Sequence, residues 1–126
     1  SRIMLALKNI AAHIDEIPCL IFDEIDTGIS GQMAQIVAEK LVSISLHHQV
    51  ICVTHLPQIA SMADRHYLIE KLQQNNSTRT TVRRLQEKER FYEIARLAGG
   101  IAIGELGIEH AKEMVKFAQS YKRKVN

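Results

Sequence analysis

Three carboxylates follow an apolar run near the start of this chain of 126 residues. Residues 19–22 read Cys-Leu-Ile-Phe, and Asp23, Glu24 and Asp26 come directly after them. A buried strand that ends in acids delivers them to the edge of a sheet, where a hydrated Mg²⁺ and a phosphate could meet them. Asp23 is therefore the candidate partner of Mg²⁺, through water. Glu24 is the candidate base that orients and deprotonates an attacking water.

A second apolar run ends in an imidazole. Residues 50–54 read Val-Ile-Cys-Val-Thr, and His55 follows them. His55 could donate a hydrogen bond to a terminal phosphate and stabilise the charge that develops there. Asp26, on the turn after the first strand, is placed to reach across an interface or to orient a neighbouring group. No Gly-rich phosphate loop occurs in the sequence.

The segment between the two runs predicts how these side chains meet. Residues 33–46 carry apolar side chains at helical spacing, and Ser30 is a suitable N-cap before them. A strand, a helix and a strand make a βαβ unit, whose right-handed crossover leaves the two strands parallel. Their carboxyl ends then share one edge of the sheet, where open α/β sheets bind ligands. We therefore expect Asp23, Glu24 and His55 to converge there.

The rest of the chain completes an α/β prediction of one domain over residues 1–126. A parallel βαβ core is flanked by helices and followed by a β-hairpin and two helices. The further predicted elements are a helix over 2–14, a short helix over 57–63 that begins at Pro57, strands over 66–71 and 78–85 around a polar turn at 73–77, and helices over 87–98 and 105–122. The basic tail after residue 121 is expected to fray.

Composition excludes few classes of protein. The net charge of +2 is too small to argue for nucleic acid binding by itself. No apolar stretch approaches the ~20 residues that a membrane-spanning helix needs. Cys19 and Cys52 lie in apolar runs without disulfide spacing, which favours a reducing cytosol. Four residues have side chains that can bind zinc, but their spacing matches no usual ligand set: His47, His48, Cys52 and His55.

These motifs resemble those of ABC-type ATPases. Residues 20–24 look like the Walker B strand, residues 25–28 like the D-loop, and residues 53–55 like the switch-histidine segment. A narrower resemblance, to the RecN family of bacterial DNA repair proteins in the SMC-like branch, runs through residues 1–7, 22–31, 50–60 and 93–97. The chain is thus expected to be the distal, C-terminal half of a P-loop ABC/SMC-type ATPase head.

The resemblance implies a role for each candidate residue. Asp23 would bind Mg²⁺ through water, Glu24 would be the catalytic base, and His55 would contact the terminal phosphate of ATP. Asp26 would act in the D-loop at the bound nucleotide. ATP and Mg²⁺ are the implied cofactors of the intact protein.

The resemblance also implies partners and a location. The partners are the N-terminal half of the same head, a second head in a homodimer, and DNA, with no membrane; the location is the bacterial cytoplasm, at the nucleoid. Ser1 and Arg2 would trail a signature motif that the sequence lacks, together with the Walker A loop. The chain is therefore expected to be a piece of a longer protein and to be inactive alone.

Two alternatives stay open at this point. In the first, the chain is a non-catalytic interaction module whose hairpin and C-terminal helices dock a partner or DNA. In the second, it belongs to the head of another SMC or ABC relative with similar chemistry. A basic stripe for phosphate backbones is a weaker hypothesis than a solvated edge, because its members do not keep to one face of a strand: Arg79, Arg83, Arg84, Lys88 and Arg90.

Overall fold

The computed structural model describes residues 17–99 and 103–126. Within them the elements follow the predicted order: β1 (Cys19–Phe22), α1 (Gly31–Ser45), β2 (Gln49–Cys52), α2 (Pro57–Ser61), β3 (Tyr67–Gln74), β4 (Ser77–Arg84), α3 (Glu87–Gly99) and α4 (Glu105–Val125). The helix predicted over residues 2–14 lies outside the described residues. No helix in the described ranges combines the length and the apolar character that crossing a bilayer requires.

The predicted βαβ unit is present. β1 and β2 pair in parallel, in a register that joins Cys19 to Gln49 and Phe22 to Cys52. The backbone N–H of Val53 donates to the carbonyl of Phe22 at 2.9 Å, beyond the last register pair. β2 is therefore shorter than predicted, because β1 offers only four residues to pair with.

α1 begins where its sequence indicates. The backbone N–H of Met33 donates to the Ser30 side-chain oxygen at 3.5 Å, which confirms the N-cap. The inner face of α1 packs against α2 and the end of α4, and Phe22, Val50 and Cys52 of the sheet close this first core. Its fully or almost fully buried members are Val37, Ala38, Leu41, Val42, Ile59, Met62 and Ala118.

Within residues 17–99 and 103–126, no element covers the opposite face of the β1–β2 sheet. Ile21 is 70% exposed, Ile51 46% and Val53 44%. These side chains are apolar, and a parallel sheet normally has both faces covered. We call this surface, formed by Ile21, Ile51 and Val53, the open sheet face.

β3 and β4 form the predicted hairpin, from the pair Tyr67–Arg84 to the pair Gln74–Ser77. Asn75 and Asn76 make its two-residue turn with φ of 46° and 61°. Positive φ at both central positions is the geometry that matches the twist of two antiparallel strands, and asparagine tolerates it better than most residues. The polar turn therefore closes the hairpin as the sequence indicates.

α3 and α4 pack on each other and on α2 in a second core made by Ala60, Ile94, Ala95, Ala111 and Val115. Arg90 of α3 joins this core to the end of α2. Its Nη2 atom donates to the carbonyls of Ser61 at 2.7 Å and Ala63 at 2.6 Å. These carbonyls lie at the carboxyl end of α2, where a cation also complements the helix dipole. α2, which directly follows His55 and Leu56, is therefore held at its far end by α3.

One expectation for the basic residues needs correction. The tail does not fray, since α4 continues to Val125, and Lys122 Nζ lies 2.5 Å from Asp64 Oδ1. Tyr121 and Val125 continue the apolar spacing of Ala118 against the first core, which extends the helix.

The contacts of two arginines do not support the basic stripe, which was the weaker of the two hypotheses. Arg83 pairs with Glu89 at 2.7 Å, and Arg90 turns inward.

Candidate nucleotide site at the carboxyl ends of β1 and β2

The two candidate segments leave the sheet at one edge. Asp23 and Glu24 follow Phe22, and the segment that leads to His55 follows Cys52, the parallel partner of Phe22. The prediction that the two strand ends share an edge is thereby confirmed. Asp23 and Glu24 are exposed, and the His55 side chain is 72% exposed. All three side chains are accessible to a ligand at this edge.

Glu24 has an unusual backbone. Its φ is 54°, in the left-handed region, which costs a residue with a Cβ atom about 1–2 kcal/mol. Its carbonyl accepts the N–H of Thr27 at 3.3 Å, and Gly28 follows with φ of 72°. Backbone strain of this kind concentrates at functional sites. The candidate base therefore stands at the entry of a tight turn rather than in the strand itself.

Asp26 is buried beneath this turn, with only 3% of the residue exposed. Its Oδ2 atom accepts the hydroxyl of Thr54 at 2.6 Å and the backbone N–H of His55 at 2.8 Å. The Nδ1 atom of His55 lies 3.1 Å from the same oxygen. Of the two options left by the sequence, an interface or a neighbour, this conformation has Asp26 contacting a neighbour. Asp26 thus joins the turn after β1 to the segment after β2.

The hydrogen bonds keep Asp26 ionised. Burial by itself would raise the pKa of this carboxyl, but the bonds from the Thr54 hydroxyl and the His55 N–H outweigh burial and lower the pKa below its ordinary value of 3.8. Asp26 is therefore a carboxylate at neutral pH, directly beside an imidazole.

Thr54 is the functional candidate that sequence reasoning missed. Its hydroxyl donates to Asp26 and accepts the backbone N–H of Leu56 at 3.0 Å, one residue before α2 begins. A polar side chain that ends an apolar strand needs a hydrogen-bond partner when it is covered. The acid two residues beyond Glu24 was the signal that could have identified that partner.

The chain is similar in sequence to bacterial proteins named RecN. The DNA repair protein RecN of Halalkalibacterium halodurans is 48% identical over 122 residues, 97% of this chain and 22% of that protein. RecN of Bacillus subtilis is 44% identical over 122 residues, and RecN of Streptomyces coelicolor is 38% identical over 120 residues. The chain is RecN-like along nearly its whole length. It spans 21% of the Bacillus and the Streptomyces relative, about a fifth of each.

The fold comparison agrees with this relationship. A solved structure described as "Structural biochemistry of ATP-driven dimerization and DNA stimulated activation of SMC ATPases" has a TM-score of 0.58. The match covers 79% of the RecN-like chain and 59% of that structure, at 18% identity. At this identity the likeness shows the fold, and the predicted SMC-type architecture is confirmed. No family model matches the chain.

Asp23 of the RecN-like chain fits a magnesium ion that keeps its water shell. Mg²⁺ dehydrates reluctantly and is commonly held by one or two carboxylates together with waters and phosphates. Within residues 17–99 and 103–126 there is no group of three or more His, Cys, Asp or Glu side chains that could hold a metal by themselves. A single exposed carboxylate at the strand end suits contact through water.

Cys52 provides a test of the charge at this edge. Its pKa is raised to about 11 by burial, and then by the negative charges of Asp26 and Asp23. In a Cys19→Ser variant, which leaves one thiol, we expect alkylation by iodoacetamide at about pH 8 to be roughly 100-fold slower than for a free thiol, since thiolate is the reactive form. Mass spectrometry should show the rate still rising above pH 9. A plateau at pH 9 would contradict this account of the site.

Proposed function

We propose that this RecN-like chain, over residues 1–126, is the C-terminal half of an ATP-hydrolysing head of a DNA repair protein that acts on double-strand breaks. The observation that supports the proposal is the shared edge of β1 and β2, where the segments that carry Asp23, Glu24 and His55 leave the sheet. The similarity to RecN supports a role in DNA repair, because the relatives are named DNA repair proteins.

Each residue of the edge has one role in this proposal. Glu24 orients a water and takes its proton during attack on the terminal phosphoryl group of ATP. His55 binds that phosphoryl group and stabilises its developing charge. Asp23 holds Mg²⁺ through water, and a bound Mg²⁺ supplies positive charge to the phosphates. Asp26 belongs to the D-loop and holds the segment that carries His55.

The exposed apolar side chains of the open sheet face are evidence for a partner segment within the same head. A parallel pair whose Ile21 is 70% exposed needs further protein on that side. We propose that the N-terminal half of the head covers this face and supplies the phosphate-binding loop. Two such heads would close on ATP, in a bacterial cytoplasmic protein that works on DNA at the nucleoid. The solved relative is itself described in terms of ATP-driven dimerisation and DNA-stimulated activation.

The experiment compares the longer protein that carries this chain with the chain of 126 residues alone. We expect the longer protein to hydrolyse Mg·ATP and to form ATP-dependent dimers in analytical ultracentrifugation. Calorimetry should detect no ATP binding by the chain alone at micromolar concentrations, because no phosphate loop is part of it. Tight binding of Mg·ATP by the chain alone, or a longer protein that turns over no ATP, would sink the proposal.

A second candidate function rests on the hairpin. Tyr67, Ile69 and Val82 lie on one face of β3–β4 and are 52%, 53% and 63% exposed. An exposed apolar face of this kind favours a docking module with no catalysis. The same ATPase measurement separates the two functions: a module would leave the longer protein inactive with ATP whatever residue stands at position 24.

A further inference from the structure

We propose that Asp26 and Thr54 are positioning residues that hold the His55 ring by Nδ1 and keep a proton on that atom. The ring then meets a phosphate oxygen through Nε2–H, as an imidazolium whose counter-ion is the buried Asp26. The identity of the phosphate ligand depends on the proposed function. The position of the ring proton does not depend on it.

The close contact between the ring and the carboxylate determines the proton position. His55 Nδ1 and Asp26 Oδ2 lie 3.1 Å apart. An unprotonated Nδ1 is a hydrogen-bond acceptor, and so is a carboxylate oxygen, so two bare atoms at this distance would repel each other. Because Asp26 is ionised, the proton belongs to the ring nitrogen. The tautomer of a histidine is set by the partner of one of its nitrogens.

A positive charge beside Asp26 would stabilise its buried carboxylate. Asp26 is 3% exposed, and a buried carboxylate is costly unless it is paired and hydrogen-bonded. In the described part of the chain, His55 is the one basic side chain within ion-pair distance of it. A second proton on the ring would give this buried carboxylate an oppositely charged partner.

The Thr54 hydroxyl holds the Asp26 carboxylate in its orientation toward the His55 ring. The hydroxyl oxygen accepts the Leu56 N–H at 3.0 Å, so its own proton is free to point at Asp26, where the oxygens lie 2.6 Å apart. Oδ2 is thereby held from the strand side and from the backbone of His55 at once. The carboxylate cannot rotate away from the ring without losing both donors.

The outer nitrogen of His55 is left to meet the ligand. With Nδ1 3.1 Å from Asp26 Oδ2 and the side chain 72% exposed, Nε2 is the ring nitrogen left for a ligand. In a neutral ring with its proton on Nδ1, Nε2 can only accept a hydrogen bond. Phosphate oxygens are acceptors as well. His55 can therefore donate to phosphate only after it takes up a second proton.

The other charges near the edge act in the same direction. Asp23 and Glu24 end β1, Cys52 lies on β2 with its thiol protonated, and the helix α2 after His55 contains no titratable side chain. Among the described residues, the fixed charges on the elements next to the ring are thus those of carboxylates.

The first test reads the ring directly in the chain of 126 residues. Long-range ¹H–¹⁵N spectra distinguish a proton on Nδ1 from one on Nε2, and the exposed His47 serves as the internal control. At about pH 8, where an ordinary imidazole is neutral, we expect the His55 proton on Nδ1. We expect it to move to Nε2 in Asp26→Ala, which removes the acceptor, to lose its preference in Thr54→Val, and to keep it in Thr54→Ser.

Two outcomes would overturn the proposal: a wild-type His55 with its proton on Nε2, or a ring that is unchanged in Asp26→Ala. Backbone amide spectra show whether each variant is folded. If Asp26→Ala does not fold, the wild-type tautomer and the pair of Thr54 variants still decide.

The second test uses ATP and the longer protein. We expect the KM for ATP of Asp26→Asn to rise about tenfold more at pH 8 than at pH 6 relative to the unchanged protein, because the imidazolium loses its counter-ion. An equal rise at both pH values would show a merely structural role. If the longer protein binds no ATP, the proposed function fails while the tautomer measured in the first test still stands.

Discussion

Replacing Glu24 with glutamine should slow ATP hydrolysis by the longer protein about 10²–10⁴-fold, the usual contribution of a general base. The amide keeps the size and the hydrogen-bonding reach of the carboxylate but cannot take a proton from water. ATP binding should persist, so ATP-bound dimers should accumulate. Steady-state phosphate release and ultracentrifugation with ATP measure the two effects.

Glu113→Gln is the matched control, because it removes an exposed carboxylate from α4, on a different element from the sheet edge. It should change neither turnover nor dimerisation. Rapid turnover by Glu24→Gln would remove Glu24 from the role of base.

A third variant separates the backbone of Glu24 from its chemistry. Glycine adopts left-handed φ without a steric penalty, so Glu24→Gly should stabilise the chain against urea by up to about 1 kcal/mol while it abolishes hydrolysis. Glu24→Gln retains the φ of 54° and should leave stability unchanged. A site that loses activity as it gains stability is the behaviour expected of a strained catalytic position.

Replacing Asp26 with alanine should destabilise the chain by about 2–4 kcal/mol in urea unfolding. The substitution leaves the Thr54 hydroxyl and the His55 N–H without their acceptor, a carboxylate that is itself only 3% exposed. Partly buried donors without partners cost more than the net value of one hydrogen bond. Asp64→Ala is the control: its ion pair with Lys122 has an 80% exposed carboxylate and should cost under about 1 kcal/mol.

The contribution of Asp26 should also depend on pH in a defined direction. Its pKa is lowered in the folded chain from 3.8, so the unfolded chain binds the proton more readily. The stabilisation is therefore complete above the unfolded value and is lost as the pH falls through the folded value. The difference in unfolding free energy between the unchanged chain and Asp26→Ala should shrink below pH 3.8. A difference that grew on acidification would contradict the pairing.

The sequence alone predicted the strands and the helix that position the site, because each of these elements is specified by residues within or next to it. Four apolar residues before Asp23 specify a strand, and Ser30 specifies where the next helix begins. The crossover rule then places Phe22 and Cys52 side by side. The hairpin likewise follows from the polar run that contains Asn75 and Asn76.

The rest depends on contacts that no local pattern contains. Asp26 and Thr54 are 28 residues apart, and their bond requires the turn after β1 to fold under the end of β2. The left-handed φ of Glu24 arises from that same turn, since glutamate has no preference for it. The last turns of α4 escaped prediction because they depend on distant contacts: Tyr121 and Val125 pack on the first core, and Lys122 pairs with Asp64, 58 residues away.

The open sheet face also affects the heat capacity increment and the urea m-value measured for the unfolding of this chain. Heat capacity increments and urea m-values scale with the surface that unfolding exposes, and side chains such as Ile21 are largely hydrated before unfolding starts. Both quantities should therefore be small for a polypeptide of this length. Any further protein that covers Ile21 and Ile51 would add about 25 cal/mol for each Å² of apolar area removed from water. Melting temperatures of the short and the long polypeptide thus describe different cooperative units.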